Sequence, residues 1–155
     1  MIENTNVKTL ISAYRYIERT CKAIDEYIYR HAINFGPDPE TCSTQKVINN
    51  IIDLMERKNR LYKLKDVIDQ TVDSLPLLEK QILIMKMRFR ANAKTMQQVL
   101  KISSERTAFR KIEQAIEKFG VLLNKAQATD LINRVFTSEP WIARIKNAIS
   151  MDARI

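Results

Sequence analysis

Glycine and histidine are scarce in this chain, which contains two glycines and one histidine among 155 residues. With only Gly36 and Gly120, the sequence has no glycine-rich loop of the kind that surrounds nucleotide phosphates. The single histidine, His31, excludes a multi-histidine metal site and a histidine-based catalytic triad. We therefore expect a protein that is not an enzyme and that uses no metal and no cofactor.

Cysteine and long apolar runs are also sparse. The two cysteines, Cys21 and Cys42, form no CxxC motif. No stretch approaches the run of about 18 apolar residues that a membrane span needs. The opening residues MIENTNVKTL lack the basic region and apolar core of a secretory leader. These absences predict a cytoplasmic protein with no structural disulfide and no membrane partner.

The few helix-breaking residues leave long uninterrupted segments. Four prolines and two glycines interrupt a chain rich in leucine, isoleucine, lysine, arginine and glutamate. Such straight side chains lose little rotamer freedom in a helix. The composition predicts an all-α fold.

Two long stripes of apolar residues, spaced alternately three and four positions apart, occupy the N-terminal half. The first ends near Gly36, where the sequence FGPDP cannot continue a helix. The second begins after a cap at Ser43 or Thr44 and is interrupted by Lys58 and Lys65. The first stripe comprises Val7, Leu10, Tyr14, Ile17, Cys21, Ile24, Ile28, His31 and Phe35, and the second comprises Val47, Ile51, Leu54, Lys58, Leu61, Lys65, Ile68, Val72 and Leu75.

Two such stripes joined by a short loop predict a long antiparallel helical hairpin. A strict seven-residue repeat is also what a coiled coil between two chains requires, so a homodimer formed through the N-terminal helices stays open as an alternative. Residues 1–73 form this predicted arm.

Shorter helices are predicted after the arm. One begins near Pro76 and ends near Asn92, which is suited to a left-handed cap. A short helix from about 95 to 100 and a longer one from about 104 to 119 follow, and Gly120 ends the second. Their separation by a three-residue connector is typical of a helix-turn-helix. Residues 74–120 are thus the predicted DNA-binding module. Residues 121–155 are predicted to form C-terminal helices, one of which begins at Pro140. Trp141 in that helix is a predicted core anchor.

Positive charge is concentrated in this module. Residues 86–118 hold nine basic and three acidic side chains, which accounts for +6 of the net charge of +8. A polyanion such as double-stranded DNA is the partner that this distribution favours, because lysine and arginine displace the counterions of phosphates.

The helix from 104 to 118 has the two faces that a DNA-recognition helix needs. Ala108, Phe109, Ile112, Ala115, Ile116 and Phe119 cluster on one side at 100° per residue. Polar side chains that can bond to base edges lie opposite. The predicted base contacts are Arg106, Thr107, Arg110 and Gln114, and the predicted phosphate contacts are Lys94, Thr95, Lys101, Ser103, Ser104, Lys111 and Lys118. Ser103 is the expected N-cap, a role that Ser104 can share.

The stretch LPLLEKQILIMKMRFRANAKTMQQVLKISSERTAFRKIEQAIEKF resembles region 4 of bacterial sigma factors. It is closer still to the sigma-like phage and prophage regulators of the ArpU and RinA type, through Ile102, Ser104, Glu105, Arg106, Thr107 and Arg110. Lys101 stands where the turn of these proteins usually carries glycine, and Ser103 lengthens the connector by one residue.

The resemblance implies a sequence-specific transcription regulator or sigma-like factor that binds promoter DNA and whose helical arm dimerises or engages RNA polymerase. A ring-forming small terminase subunit for phage DNA packaging is one alternative. A helical adaptor that binds an acidic protein and no DNA is another.

Overall fold

A computed structural model of the chain describes residues 2–33 and 44–152, which form helices and no strand. The prediction of an all-α fold is confirmed. The predicted loop with Gly36 and Cys42, and the cap at Ser43, lie outside the described residues. The helices are α1 (Asn4–Ile33), α2 (Thr44–Asp73), α3 (Leu77–Phe89), α4 (Ala93–Val99), α5 (Glu105–Lys125), α6 (Thr129–Ser138) and α7 (Pro140–Asp152).

Side-chain contacts set the direction of α1 relative to α2. The hydroxyl of Tyr14 donates to Asp69 Oδ1 at 2.6 Å, and Lys58 Nζ donates to Asp25 Oδ1 at 2.6 Å. The early part of α1 therefore lies beside the late part of α2, and the later part of α1 lies beside the middle of α2. Lys58 is thus matched by a carboxylate on α1. Lys65 is matched within α2, by Asp69 at 2.9 Å.

The two apolar stripes are buried unequally along their length. On α1 the stripe is buried from Val7 to Ile24, but Ile28 is half-buried and His31 is exposed. On α2 the buried part begins at Leu61. Among the described residues, the buried part of each stripe is the part that packs into the hydrophobic core shared with the other helices. His31 lies at the exposed end of the stripe, where its ring is 4.1 Å from the ring of Tyr27.

Helix α1 lies at the centre of the fold. It packs against α2, α3, α5 and α7. One hydrophobic core results, which extends in sequence from Val7 to Ile142 and includes residues of all three predicted regions, 1–73, 74–120 and 121–155. The division of the chain after residues 73 and 120 stays a prediction.

Gly120 does not end a helix, contrary to the sequence-based prediction. Helix α5 continues through it to Lys125. A Cβ atom at Gly120 would lie 3.1 Å from Val7 Cγ2, so the missing side chain allows α1 to approach α5 closely. The residue was mistaken for a helix terminus because its role depends on a helix that is distant in sequence.

The link between α3 and α4 also differs from the prediction. Arg90, with φ of 50°, is the left-handed C-cap of α3. Asn92 instead begins α4, where its Oδ1 accepts the Thr95 N–H at 2.8 Å. Asparagine suits both kinds of cap, and the sequence alone did not distinguish them.

A buried ion pair joins α2 to the junction of α6 and α7. Glu139 is 1% exposed, and its carboxylate accepts from Arg57 Nε at 2.9 Å and from the Arg57 Nη2 at 2.8 Å. The half-buried Trp141 donates its indole N–H to the same carboxylate at 3.0 Å and packs edge-to-face on Tyr16. The hydrogen bond to Glu139 raises the pKa of Arg57. Helix α7 begins at Pro140 as predicted.

Within the described ranges, no helix combines the length and the apolar character that crossing a membrane requires.

Candidate nucleic-acid interface

Helices α4 and α5 pack against each other and form the unit that contains the predicted DNA contacts. Ala93 and Met96 of α4 are buried. Val99, by contrast, is 61% exposed. Because α4 has only seven residues, it offers a narrow strip to its neighbours, and Val99 falls outside that strip.

The connector between the two helices turns at Lys101. This residue has φ of 54°, in the left-handed region that favours glycine. Two backbone bonds close the turn, from Leu100 N–H to Met96 O at 2.9 Å and from Ile102 N–H to Gln97 O at 3.0 Å. The turn therefore has the geometry for which glycine is the usual choice, and lysine occupies it at a conformational cost.

The N-cap of α5 is Ser104, and the prediction of Ser103 was wrong by one residue. The Ser104 hydroxyl accepts the Thr107 N–H at 3.1 Å and lies 2.9 Å from the Thr107 hydroxyl. Ser103 is exposed in the connector. Adjacent serines are equivalent caps by residue type, and the left-handed residue upstream decides between them. Thr107 is half-buried, and its hydroxyl is engaged by the cap, so it is less free to bond to a base than its position on the helix suggests.

The buried face of α5 packs on the core, and the opposite face is open to solvent. Ala108, Ile112, Ala115, Ile116, Phe119 and Leu123 are buried. Arg106, Arg110 and Gln114 are exposed and are called here the outward face of α5. The helical period predicted all of these residues except Leu123.

Phe109 departs from the predicted apolar face, since 58% of it is exposed. It lies roughly 70° around the helix from the centre of the buried residues, at the edge of the contact. Its neighbours in sequence include Arg106 and Arg110. An exposed aromatic ring at this position can contact a thymine methyl group, so Phe109 is a candidate that sequence reasoning assigned to the core. The signal that could have identified it is its position at the margin of the apolar sector.

Three of the predicted phosphate contacts and both arginines among the predicted base contacts carry charge that no salt bridge neutralises among the described residues. Among the described residues, Lys94, Lys101, Arg106, Arg110 and Lys111 make no ion pair. Four of the five are exposed, and Lys111 is half-buried. Paired cations are already neutralised, whereas these remain available to a polyanion.

Lys118 differs from the other predicted phosphate contacts. Its ammonium group donates to Glu79 of α3, and this hydrogen bond holds the pKa of Glu79 below its ordinary value. A phosphate contact by Lys118 would have to displace that carboxylate. Lys118 is therefore the weakest of the predicted phosphate contacts.

The N-terminus of each helix in this unit is also exposed. Thr95 is exposed in the first turn of α4, next to Lys94. Three acidic residues, Glu105, Glu113 and Glu117, are exposed on α5, and Glu113 is paired with Lys8 of α1 at 3.5 Å. Positive charge thus dominates the surface near the connector, where Glu105 is the acidic residue in the first turn of α5, and Glu113 and Glu117 lie further along the helix.

The chain matches no family model, no curated protein and no solved structure. Within residues 2–33 and 44–152, no three histidine, cysteine, aspartate or glutamate side chains are grouped so that they could hold a metal ion. The chemistry on offer in the α4–α5 unit is instead that of exposed guanidinium, ammonium and amide donors.

Proposed function

We propose that this protein is a sequence-specific DNA-binding transcription regulator or sigma-like factor, and that α5 contacts bases in the major groove. The observation that carries the proposal is the outward face of α5. Arg106 and Arg110 lie one turn apart, are exposed and are unpaired among the described residues. Arginine can bond to guanine O6 and N7 with both arms of its guanidinium group, and two arginines one turn apart can enter one groove. Gln114, one turn further, suits adenine.

In this proposal, α4, its connector and the start of α5 act as a helix-turn-helix. The positive φ at Lys101 supports this reading, because such turns require a left-handed residue. The resemblance of residues 75–119 to sigma-factor region 4 supports it independently. Lys94, Lys101 and Lys111, with the first turn of α5 after its Ser104 cap, would then hold the DNA backbone.

Homodimerisation through the N-terminal helices is the second part of the proposal. The predicted α2 stripe is largely occupied by α1, so a partner would need another surface. Helix α2 has one: Ile48, Ile52 and Met55 are each close to half exposed, at 45%, 46% and 47%, and Asn59 and Tyr62 continue the same spacing. A polar asparagine within a stripe of this period typically fixes the register of paired helices. A second copy of the chain is the partner that we expect here. The contact with RNA polymerase implied by the resemblance stays a prediction.

Selection from a random duplex library at near-physiological salt tests the main proposal. The wild-type chain should enrich a defined motif, and the R106A/R110A double variant should not. R19A/R144A is the matched control, because it removes two exposed arginines of α1 and α7 that are unpaired among the described residues. It should recover the wild-type motif. If the wild-type chain enriches no sequence, the proposal of sequence-specific DNA binding is wrong.

The mass of the protein in solution distinguishes the proposed regulator from a DNA-packaging subunit. A dimer supports the regulator, and its dissociation by the I52E/M55E variant would place the interface on α2. A ring of eight or more copies would instead favour a DNA-packaging subunit.

A further inference from the structure

A shallow cavity of 400 Å³ lies between α2 and α6, away from the α4–α5 unit in sequence. Its five lining residues are Arg60, Asn133, Arg134, Thr137 and Ser138. None of them is acidic, and two are arginines from different helices.

The two arginines lack the partners that their surroundings would be expected to provide. In the part of the chain that the structure describes, neither Arg60 nor Arg134 makes an ion pair. Glu56 and Asp130, which stand four residues before them, are both exposed and do not pair with them. This is notable because the same spacing does form the Lys65–Asp69 pair on α2.

The Nε atom of Arg60 is buried and has no hydrogen-bond partner among the described residues. Arg57, one turn earlier on α2, is by contrast bonded through two nitrogens to Glu139. A buried N–H group without an acceptor is unfavourable, and native proteins seldom leave one without an acceptor. The guanidinium group of Arg60, which lines the cavity, is therefore not tied through Nε to any acceptor among the described residues.

The other polar groups of the cavity also favour a ligand rich in acceptors. The hydroxyls of Thr137 and Ser138 already donate, to Asn133 O at 2.8 Å and to Val135 O at 3.4 Å. The remaining donors are the two guanidinium groups and the Asn133 amide. A concentration of donors with two positive charges selects for an anion.

We propose that Arg60 and Arg134 form a binding site for a phosphate group. Phosphate carries up to two negative charges and has several acceptor oxygens, so it can bond to both guanidinium groups and to the Asn133 amide at once. A carboxylate has only two oxygens and one charge. The site depends on neither Arg106 nor Arg110, and so it does not rest on the proposed recognition of DNA bases.

Calorimetric titration of the full chain with sodium phosphate tests the site, with sodium chloride adjusted to constant ionic strength. The R60Q/R134Q variant should bind phosphate at least about tenfold more weakly, because each charge-assisted hydrogen bond carries a large share of the affinity. R19Q/R144Q removes the same charge elsewhere and should bind as the wild type does. Sodium acetate should bind much more weakly than phosphate.

Equal phosphate affinity in R60Q/R134Q and the wild type would overturn the proposal, and so would acetate binding as tight as phosphate binding. R134Q alone changes an exposed residue and keeps the test valid if the double variant does not fold. It should weaken phosphate binding severalfold, and an unchanged affinity would count against the site.

The source of the phosphate is resolved by a second titration, with a duplex DNA at several salt concentrations. If the DNA backbone occupies the site, R60Q/R134Q should reduce the slope of log affinity against log salt by about 0.9, since the two arginines hold one phosphate and each phosphate contact contributes about 0.9. If the ligand is free phosphate, that slope should not change. R106A/R110A should leave the phosphate titration unaffected, so the site and the proposed DNA recognition can fail separately.

Discussion

Replacing Arg57 by methionine tests how far the fold depends on the buried carboxylate of Glu139. This carboxylate is 1% exposed and accepts two hydrogen bonds from Arg57. In R57M, the indole N–H of Trp141 would be its remaining donor among the described residues. Removing one partner of a buried pair costs about 3–5 kcal/mol, because the other charge stays buried without compensation.

We expect a loss near the lower end of that range, about 3 kcal/mol, since water can reach the place of a side chain that is 32% exposed. For a chain of this length, each kcal/mol lowers Tm by roughly 2–4 °C, so R57M should melt roughly 6–12 °C below the wild type. Chemical denaturation followed by circular dichroism gives the free energy of unfolding, and a thermal scan gives the shift in Tm.

Two variants make this prediction refutable. K22M removes the exposed pair between Lys22 and Glu18, whose side chains are 72% and 58% exposed, and should cost no more than about 1 kcal/mol. The double variant R57M/E139Q also removes the buried charge of Glu139 that R57M leaves without a partner, and it should recover most of the lost stability. If R57M costs as little as K22M, or if E139Q gives no recovery, the buried pair does not hold α2 to the α6–α7 junction as described.

Three further predictions concern single residues. K101G should raise the free energy of unfolding by about 0.5–1 kcal/mol, because glycine adopts the positive φ of 54° without strain, whereas K101A keeps the strain. Both variants should weaken binding to all DNA sequences alike in an anisotropy titration, because both remove the positive charge. G120A should raise the free energy of unfolding by less than the usual helix-propensity benefit of about 1 kcal/mol, because its Cβ would lie 3.1 Å from Val7. In a V7A background the same substitution should give the full benefit, and urea denaturation measures its effect in both backgrounds. Burial raises the pKa of the Cys21 thiol from 9.0 to about 11. In a C42S background, iodoacetamide should therefore react with Cys21 only after unfolding. The free energy of unfolding should fall as pH rises from 9.0 to about 11, because the unfolded chain loses in this range the proton that the folded chain retains. Equal stability of K101G and K101A, additive effects of G120A and V7A, or rapid alkylation of the native chain would each contradict the corresponding reasoning.

The features of the fold that could be predicted are those set by local periodicity. The spacing of Val7, Ile17 and Ile24 identified the buried side of α1, and all three are buried. Pro140 marked the start of α7. Two residues were assigned incorrectly, one because its role depends on a partner distant in sequence and one because its residue type suits two roles. Gly120 was taken as a helix terminus because only the neighbouring Val7 explains it, and Asn92 was assigned to the helix before it instead of the helix after it.

The candidate interface shows the same division. The exposure of Arg106, Arg110 and Gln114 follows from the 100° period of α5. The exposure of Phe109 does not, because the width of the buried sector depends on which helices cover it. The pairing of Lys118 with Glu79 joins α5 to α3 and has no counterpart in local sequence. The cavity with Arg60 and Arg134 likewise exists only once α2 and α6 are packed together.

The central claim is that the outward face of α5 distinguishes one DNA sequence from another. The most direct test is the ratio of dissociation constants for a scrambled duplex and for the duplex recovered by selection, measured at one salt concentration for the wild type, R106A/R110A and R19A/R144A. We predict a large ratio for the wild type and for R19A/R144A, and a ratio reduced at least about tenfold in R106A/R110A, at 1–3 kcal/mol for each lost base contact. A ratio unchanged in R106A/R110A, with binding to both duplexes weakened equally, would show that these arginines contact only phosphates and would contradict the claim.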